Sequence, residues 1–97
     1  MLRVVLVGSG RVGLQTARLL DARGHDVLVI ERNPERCEKI AQEYVATVIE
    51  GNAARPSVLR QADLPRRDLV VAVTNTPATN LAVCMEATEL SPGVRTV

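Results

Sequence analysis

The residues best suited to chemistry stand near the start of the chain, in Gly8-Ser9-Gly10-Arg11-Val12-Gly13. The apolar run Val4-Val5-Leu6-Val7 precedes them and a helical pattern follows. A G-x-G-x-x-G between a strand and a helix is suited to holding phosphate groups. Gly8 lets the strand turn sharply, Gly10 lets a pyrophosphate approach the backbone, and Gly13 lets the helix lie close to the sheet. Ser9 and Val12 complete the loop. The free N–H groups of the first helical turn then point at the anion, aided by the helix dipole. Arg11 either adds a positive charge beside the phosphates or is an exposed first-turn arginine.

Glu31 falls where a second strand should end, about twenty residues beyond the glycines, as a dinucleotide fingerprint requires. A carboxylate there accepts hydrogen bonds from the adenosine ribose hydroxyls and repels a 2′-phosphate, favouring NAD over NADP. Arg32 either pairs a 2′-phosphate or packs over the adenine ring, and the neighbouring Glu31 favours packing. Asn52 and Ala53, in Gly51-Asn52-Ala53, flank the adenine side. There Asn52 either bonds the ring edge or ribose, or serves as a turn residue. Thr74 and Asn75 either face the second half of the ligand or cap the next helix, a task Thr76 and Pro77 already suit.

No catalytic group is expected in this crevice. His25, the single histidine, precedes the second strand at the opposite edge. Tyr44 reads as packing on a helix, and Cys37 and Cys84 as small buried hydrophobes of a reducing compartment. With neither a C-x-x-C nor a Cys/His cluster, a metal site has no support. The 97 residues leave no room for a substrate-binding region. The expectation is a site that binds rather than an enzyme that reacts.

The elements that must position these residues alternate. Strands are expected at residues 2–7, 26–31, 47–50, 68–74 and 94–97. Helices are expected at residues 12–22, 34–44, 56–61 and 77–90. Gly24 closes the first helix, and Asn33-Pro34 starts the second. On the first helix Val12, Leu14, Ala17, Leu20 and Ala22 are apolar, and on the second Cys37, Ile40, Ala41 and Tyr44 face inward. Strict alternation implies an α/β, doubly wound, Rossmann-like parallel sheet of order 3-2-1-4-5, with the ligand at the carboxyl edge. A full fold of this type has a further helix and a sixth strand. Residues 1–97 therefore read as one domain, truncated before its last strand or with that edge covered by a partner.

Composition narrows the partners. Hydrophobic residues make up 46% of the chain, Phe and Trp are absent, and Tyr44 is the one aromatic. The core must be Val, Leu, Ile, Ala and Met. A net charge of +1 with scattered arginines argues against nucleic acid, as does the lack of an aromatic platform. No stretch is long enough to cross a bilayer, and the start reads as a strand rather than a signal peptide, which points to the cytoplasm.

The segments Val5-Leu6-Val7-Gly8-Ser9-Gly10-Arg11-Val12-Gly13 and Gly24-His25-Asp26-Val27-Leu28-Val29-Ile30-Glu31-Arg32-Asn33-Pro34-Glu35-Arg36 resemble the amino-terminal (TrkA-N) domain of the regulator-of-potassium-conductance (RCK) family. Gly51-Asn52-Ala53, Asp68-Leu69-Val70-Val71-Ala72-Val73-Thr74 and Asn80-Leu81 agree with it. That family includes the regulatory proteins of the Trk and Ktr potassium-uptake systems. The resemblance implies a cytoplasmic regulatory domain that binds NAD(H), or alternatively ATP, ADP or AMP. It implies a homo-oligomer, a dimer or ring, that gates a potassium channel or transporter subunit at the inner face of the membrane. By position, Gly8, Gly10, Arg11 and Gly13 would hold phosphates, Glu31 the ribose, Asn52 and Ala53 the adenine side, and Thr74 and Asn75 the far end. The family usually carries aspartate where this chain has Asn52, so one charge near the adenine is absent.

Overall fold

A computed structural model describes residues 1–43 and 47–97. Five parallel strands, β1 (Arg3–Val7), β2 (Asp26–Glu31), β3 (Thr47–Glu50), β4 (Leu69–Ala72) and β5 (Arg95–Thr96), form one sheet in the order β3-β2-β1-β4-β5. The α/β doubly wound class and the order expected from the alternation are therefore correct. The helices are α1 (Arg11–Ala22), α2 (Pro34–Glu43), α3 (Pro56–Leu59) and α4 (Pro77–Leu90).

Period-two alternation along the strands divides the core between two faces. Leu6, Val27 and Val29 pack with Ala17 of α1 and Ile40 of α2. Val5, Val7, Leu28, Ile30, Val70 and Ala72 pack on the other face with Leu59, Ala62 and Leu64 and with Val83 and Ala87 of α4. β1 is central, and Val4, Val5 and Leu6 are fully buried. This is why the sequence shows an unbroken apolar run there rather than an alternating one. Each such side chain contributes about 1.5–3 kcal/mol by leaving water.

Local signals set the helix ends. Gly24 adopts φ +81°. Its N–H donates to the Asp21 carbonyl at 3.0 Å, and that of His25 donates to the Leu20 carbonyl at 3.0 Å. This pair of bonds is a Schellman closure of α1. Asn33 Oδ1 caps α2, accepting from the N–H groups of Glu35 at 2.9 Å and Arg36 at 3.3 Å.

Several expectations need correction. The apolar pattern of α1 does not give its inner face: Val12, Leu19 and Ala22 are apolar but exposed, because Gly13 and Ala17 define that face and those three lie away from it. Ala41 of α2 is exposed, and Tyr44 lies outside the described residues. Both methionines face solvent, Met1 at 77% and Met85 at 59% exposure, so the core is aliphatic without them. The third helix ends at Leu59 and continues as short 3-10 turns, Arg60–Ala62 and Leu64–Arg66. Asp63 between them sits at φ +53°, which breaks an α-helix. β4 ends at Ala72 because its partner β1 ends at Val7, and the chain then turns at Gly8. β5, at the sheet edge beside β4, is two residues long.

Candidate binding site at the carboxyl edge of the sheet

The carboxyl ends of β1, β2, β3 and β4 open into one cavity of about 660 Å³. Ladder-like bonds hold these ends in line. Gly8 N–H donates to the Ile30 carbonyl at 3.0 Å, Gly51 N–H to Glu31 at 2.9 Å and Val73 N–H to Val7 at 2.9 Å. Gly8, Ser9, Gly10, Arg11, Val12, Glu31, Arg32, Asn52, Ala53, Thr74 and Asn75 all line the cavity. Gly13 does not. It lies buried behind the loop, where a Cβ would overlap the Gly8 carbonyl oxygen. Its task is therefore close packing of α1 against the loop.

The other two glycines act differently. Gly8 adopts φ +98°, and a Cβ there would stand 3.0 Å from the Thr74 nitrogen. At Gly10 a Cβ would find no atom within 4 Å. Gly10 also lines the cavity, so its bare Cα leaves room for a ligand group to approach the backbone there. Gly10 precedes α1 with no side-chain cap on the helix. The first-turn N–H groups are thus left for a ligand, and an anion there also gains from the helix dipole. The residues present fit a nucleotide.

Glu31 is 5% exposed and joins two loops of the site. Its Oε1 accepts from the Ser9 N–H at 2.9 Å and the Ser9 hydroxyl at 2.6 Å. Its Oε2 accepts from the Asn33 N–H at 2.9 Å. Arg36 Nη1 stands 3.9 Å from Oε1. Burial pushes the Glu31 carboxyl up, but the Ser9 hydroxyl, the N–H groups of Asn33 and Ser9, and Arg36 together hold it below the ordinary value. It is therefore a carboxylate at neutral pH, with three of roughly four acceptor positions already used. Beneath it, the buried Cys37 Sγ donates to the Glu31 carbonyl at 3.2 Å. Burial first, and the charges of Glu31 and Glu50 next, raise this thiol's pKa.

Asn52 Oδ1 accepts from the Ala54 N–H at 3.0 Å, so its carbonyl end serves the turn. Thr76 precedes α4 without capping it through its side chain, contrary to the sequence expectation; its hydroxyl meets Asn75 Oδ1 at 3.4 Å instead. His25 accepts from the Leu2 N–H through Nδ1 at 2.9 Å, at the far edge of the sheet as expected. Reasoning along the chain missed Asn33, Pro34, Arg36 and Thr79, all of which line the cavity. The first turns of α2 and α4 open onto the crevice, and that placement was the available signal. Arg11, Arg32 and Arg36 line the cavity together with one carboxylate, Glu31, an excess of positive charge suited to a phosphorylated ligand.

Residues 4–97 match the sequence pattern of the TrkA-N domain. The Trk system potassium uptake protein TrkA homolog of Pyrococcus abyssi is 36% identical over 94 residues, which is 97% of this chain and 41% of that protein. The chain thus spans less than half the length of that relative. Among solved structures, the Kef CTD of Shewanella denitrificans in AMP-bound form superposes with a TM-score of 0.84 at 26% identity, over 97% of this chain and 56% of that one. The TrkA-N domain of inner membrane protein ybaL from Escherichia coli gives a TM-score of 0.86 at 23% identity, over 97% and 69%. That likeness concerns the fold alone. No helix among the described residues is long and apolar enough to cross a membrane.

Proposed function

The chain belongs to the TrkA-N domain family, and on that premise we propose that it is a regulatory domain that binds an adenine nucleotide to control potassium transport. NAD(H) is the favoured ligand, with ATP, ADP or AMP as alternatives. The observation that carries this reading is the open space above Gly10 at the uncapped start of α1, in one cavity with the buried Glu31. Residues 8–12 would hold the phosphates, Glu31 a ribose hydroxyl and the turn at Asn52 and Ala53 the adenine side. The AMP-bound state of the Kef domain supports the choice of nucleotide class.

The site holds and orients a ligand rather than transforming it, so the domain is proposed to be non-enzymatic. It would act on the cytoplasmic side of the membrane, as a dimer or ring of copies joined to a potassium channel or transporter subunit. Regulation requires that the nucleotide bind two arrangements of that assembly unequally. A difference of about 1.4 kcal/mol per site shifts the equilibrium tenfold, and several sites multiply the effect. Titration calorimetry of the chain against NAD, NADH, NADP, AMP, ADP and ATP tests the reading. Binding of at least one of them at micromolar concentration, lost in Gly10→Asp, is expected. Heat from none of the six, or unchanged affinity in that variant, would overturn it.

A further inference from the structure

Asn80, at the end of the first turn of α4, directs its whole side-chain amide at one residue of the site. Its Oδ1 accepts from the Thr74 N–H at 2.9 Å and from the Thr74 hydroxyl at 2.5 Å, and its Nδ2 donates to the Thr74 carbonyl at 3.1 Å. Strand pairing stops one residue earlier, with Val73 N–H on the Val7 carbonyl. From that point the amide replaces a neighbouring strand, satisfying both backbone groups of Thr74. The Thr74 hydroxyl also accepts from the Thr76 N–H at 3.2 Å, so it is committed within the protein.

Thr74 is where the glycine loop meets the rest of the site. Its nitrogen, Cα and Cγ2 lie 3.0–3.1 Å from where a Gly8 Cβ would stand. Thr74, Asn75 and Thr79 form the wall of the cavity on the α4 side of that loop, whereas Glu31, Asn52 and Ala53 form the opposite side. We propose that Asn80 is the positioning residue for the part of the site beyond the phosphates, the part that takes the second nucleoside of a dinucleotide. This rests on the nucleotide reading above. It assigns to Asn80, which does not itself line the cavity, the task of holding Thr74 and Asn75 where that second half needs them. The adenosine side depends on it far less, because Glu31, Asn52 and Ala53 hang on β2 and β3 and the phosphate loop hangs on β1.

The experiment compares two probes, AMP and NAD, by calorimetry on the wild-type chain and on Asn80→Ala, with thermal unfolding of the free proteins alongside. NAD affinity is expected to fall about tenfold while AMP affinity stays within about twofold, because the bonds lost serve one half of the site only. Thr74→Val, which keeps both backbone bonds and loses the hydroxyl, should show the same split to a smaller degree. If Asn80→Ala does not fold, Asn80→Asp is read instead, since it keeps both acceptor bonds and sets a carboxylate oxygen against the Thr74 carbonyl where the donor stood. Equal losses for the two probes, or no loss for either, would overturn the assignment. So would wild-type protein that binds AMP but not NAD. Wild-type protein that binds neither overturns the nucleotide reading itself, a different result.

Discussion

Gly10 and Gly13 lie three residues apart, yet their replacement by alanine should have opposite consequences. At Gly13 the new methyl group overlaps the Gly8 carbonyl oxygen and comes within 2.9 Å of the Gly8 carbonyl carbon. Both atoms are backbone at the end of β1, so neither can rotate aside. Overpacking of this kind costs about 1–3 kcal/mol. Alanine regains about 1 kcal/mol over glycine within a helix. Because the obstacle is backbone, the upper part of the first range applies, leaving a net loss of about 1–2 kcal/mol. For a domain of this size that lowers Tm by roughly 4–16 °C. At Gly10 the methyl group meets nothing within 4 Å, and the backbone, at φ −68° and ψ −163°, is open to any residue. Gly10→Ala should therefore change stability by less than about 1 kcal/mol, the cost of a poorer N-cap. Its methyl group fills space that a phosphate would take, so nucleotide affinity should fall about tenfold or more, as for a ligand held off its backbone donors. Thermal unfolding with and without nucleotide, together with calorimetry, separates the two effects. Equal loss of Tm in both variants would refute the packing argument. Unchanged affinity in Gly10→Ala would refute the placement of the phosphates.

Glu31 predicts a pH dependence. Its folded-state pKa lies below the unfolded value, so its stabilising contribution is fully present above about 4.3 and is lost as pH falls through the depressed folded value. The Tm difference between wild type and Glu31→Gln should therefore shrink on acidification below that point, and a constant difference in a pH series of unfolding curves would exclude the role. Asn33→Ala removes the cap of α2 and should cost about 1 kcal/mol, read as a lower Tm in thermal unfolding. A silent variant would mean the bonds to the N–H groups of Glu35 and Arg36 are replaced by water.

The sequence by itself determined the order of strands and the residues that meet at their ends. The unbroken apolar run of β1, the regular strand–helix alternation and right-handed crossovers leave few other ways to wind the chain. Glycine spacing and the position of Glu31 located the crevice because backbone conformation and phosphate approach constrain residue type directly. Tertiary structure decided how polar groups are shared. That Glu31 spends most of its acceptors on Ser9 and Asn33, that Gly13 serves packing while Gly10 borders the cavity, and that Asn80 holds Thr74 are contacts between separate elements. No local pattern carries such information, because hydrogen-bond choice depends on distances that exist only once α1, α2 and α4 have packed on the sheet. The exposure of Val12, Ala41 and Met85 has the same origin. A helix shows its apolar residues in the sequence, but which of them face inward is settled by the sheet it packs against.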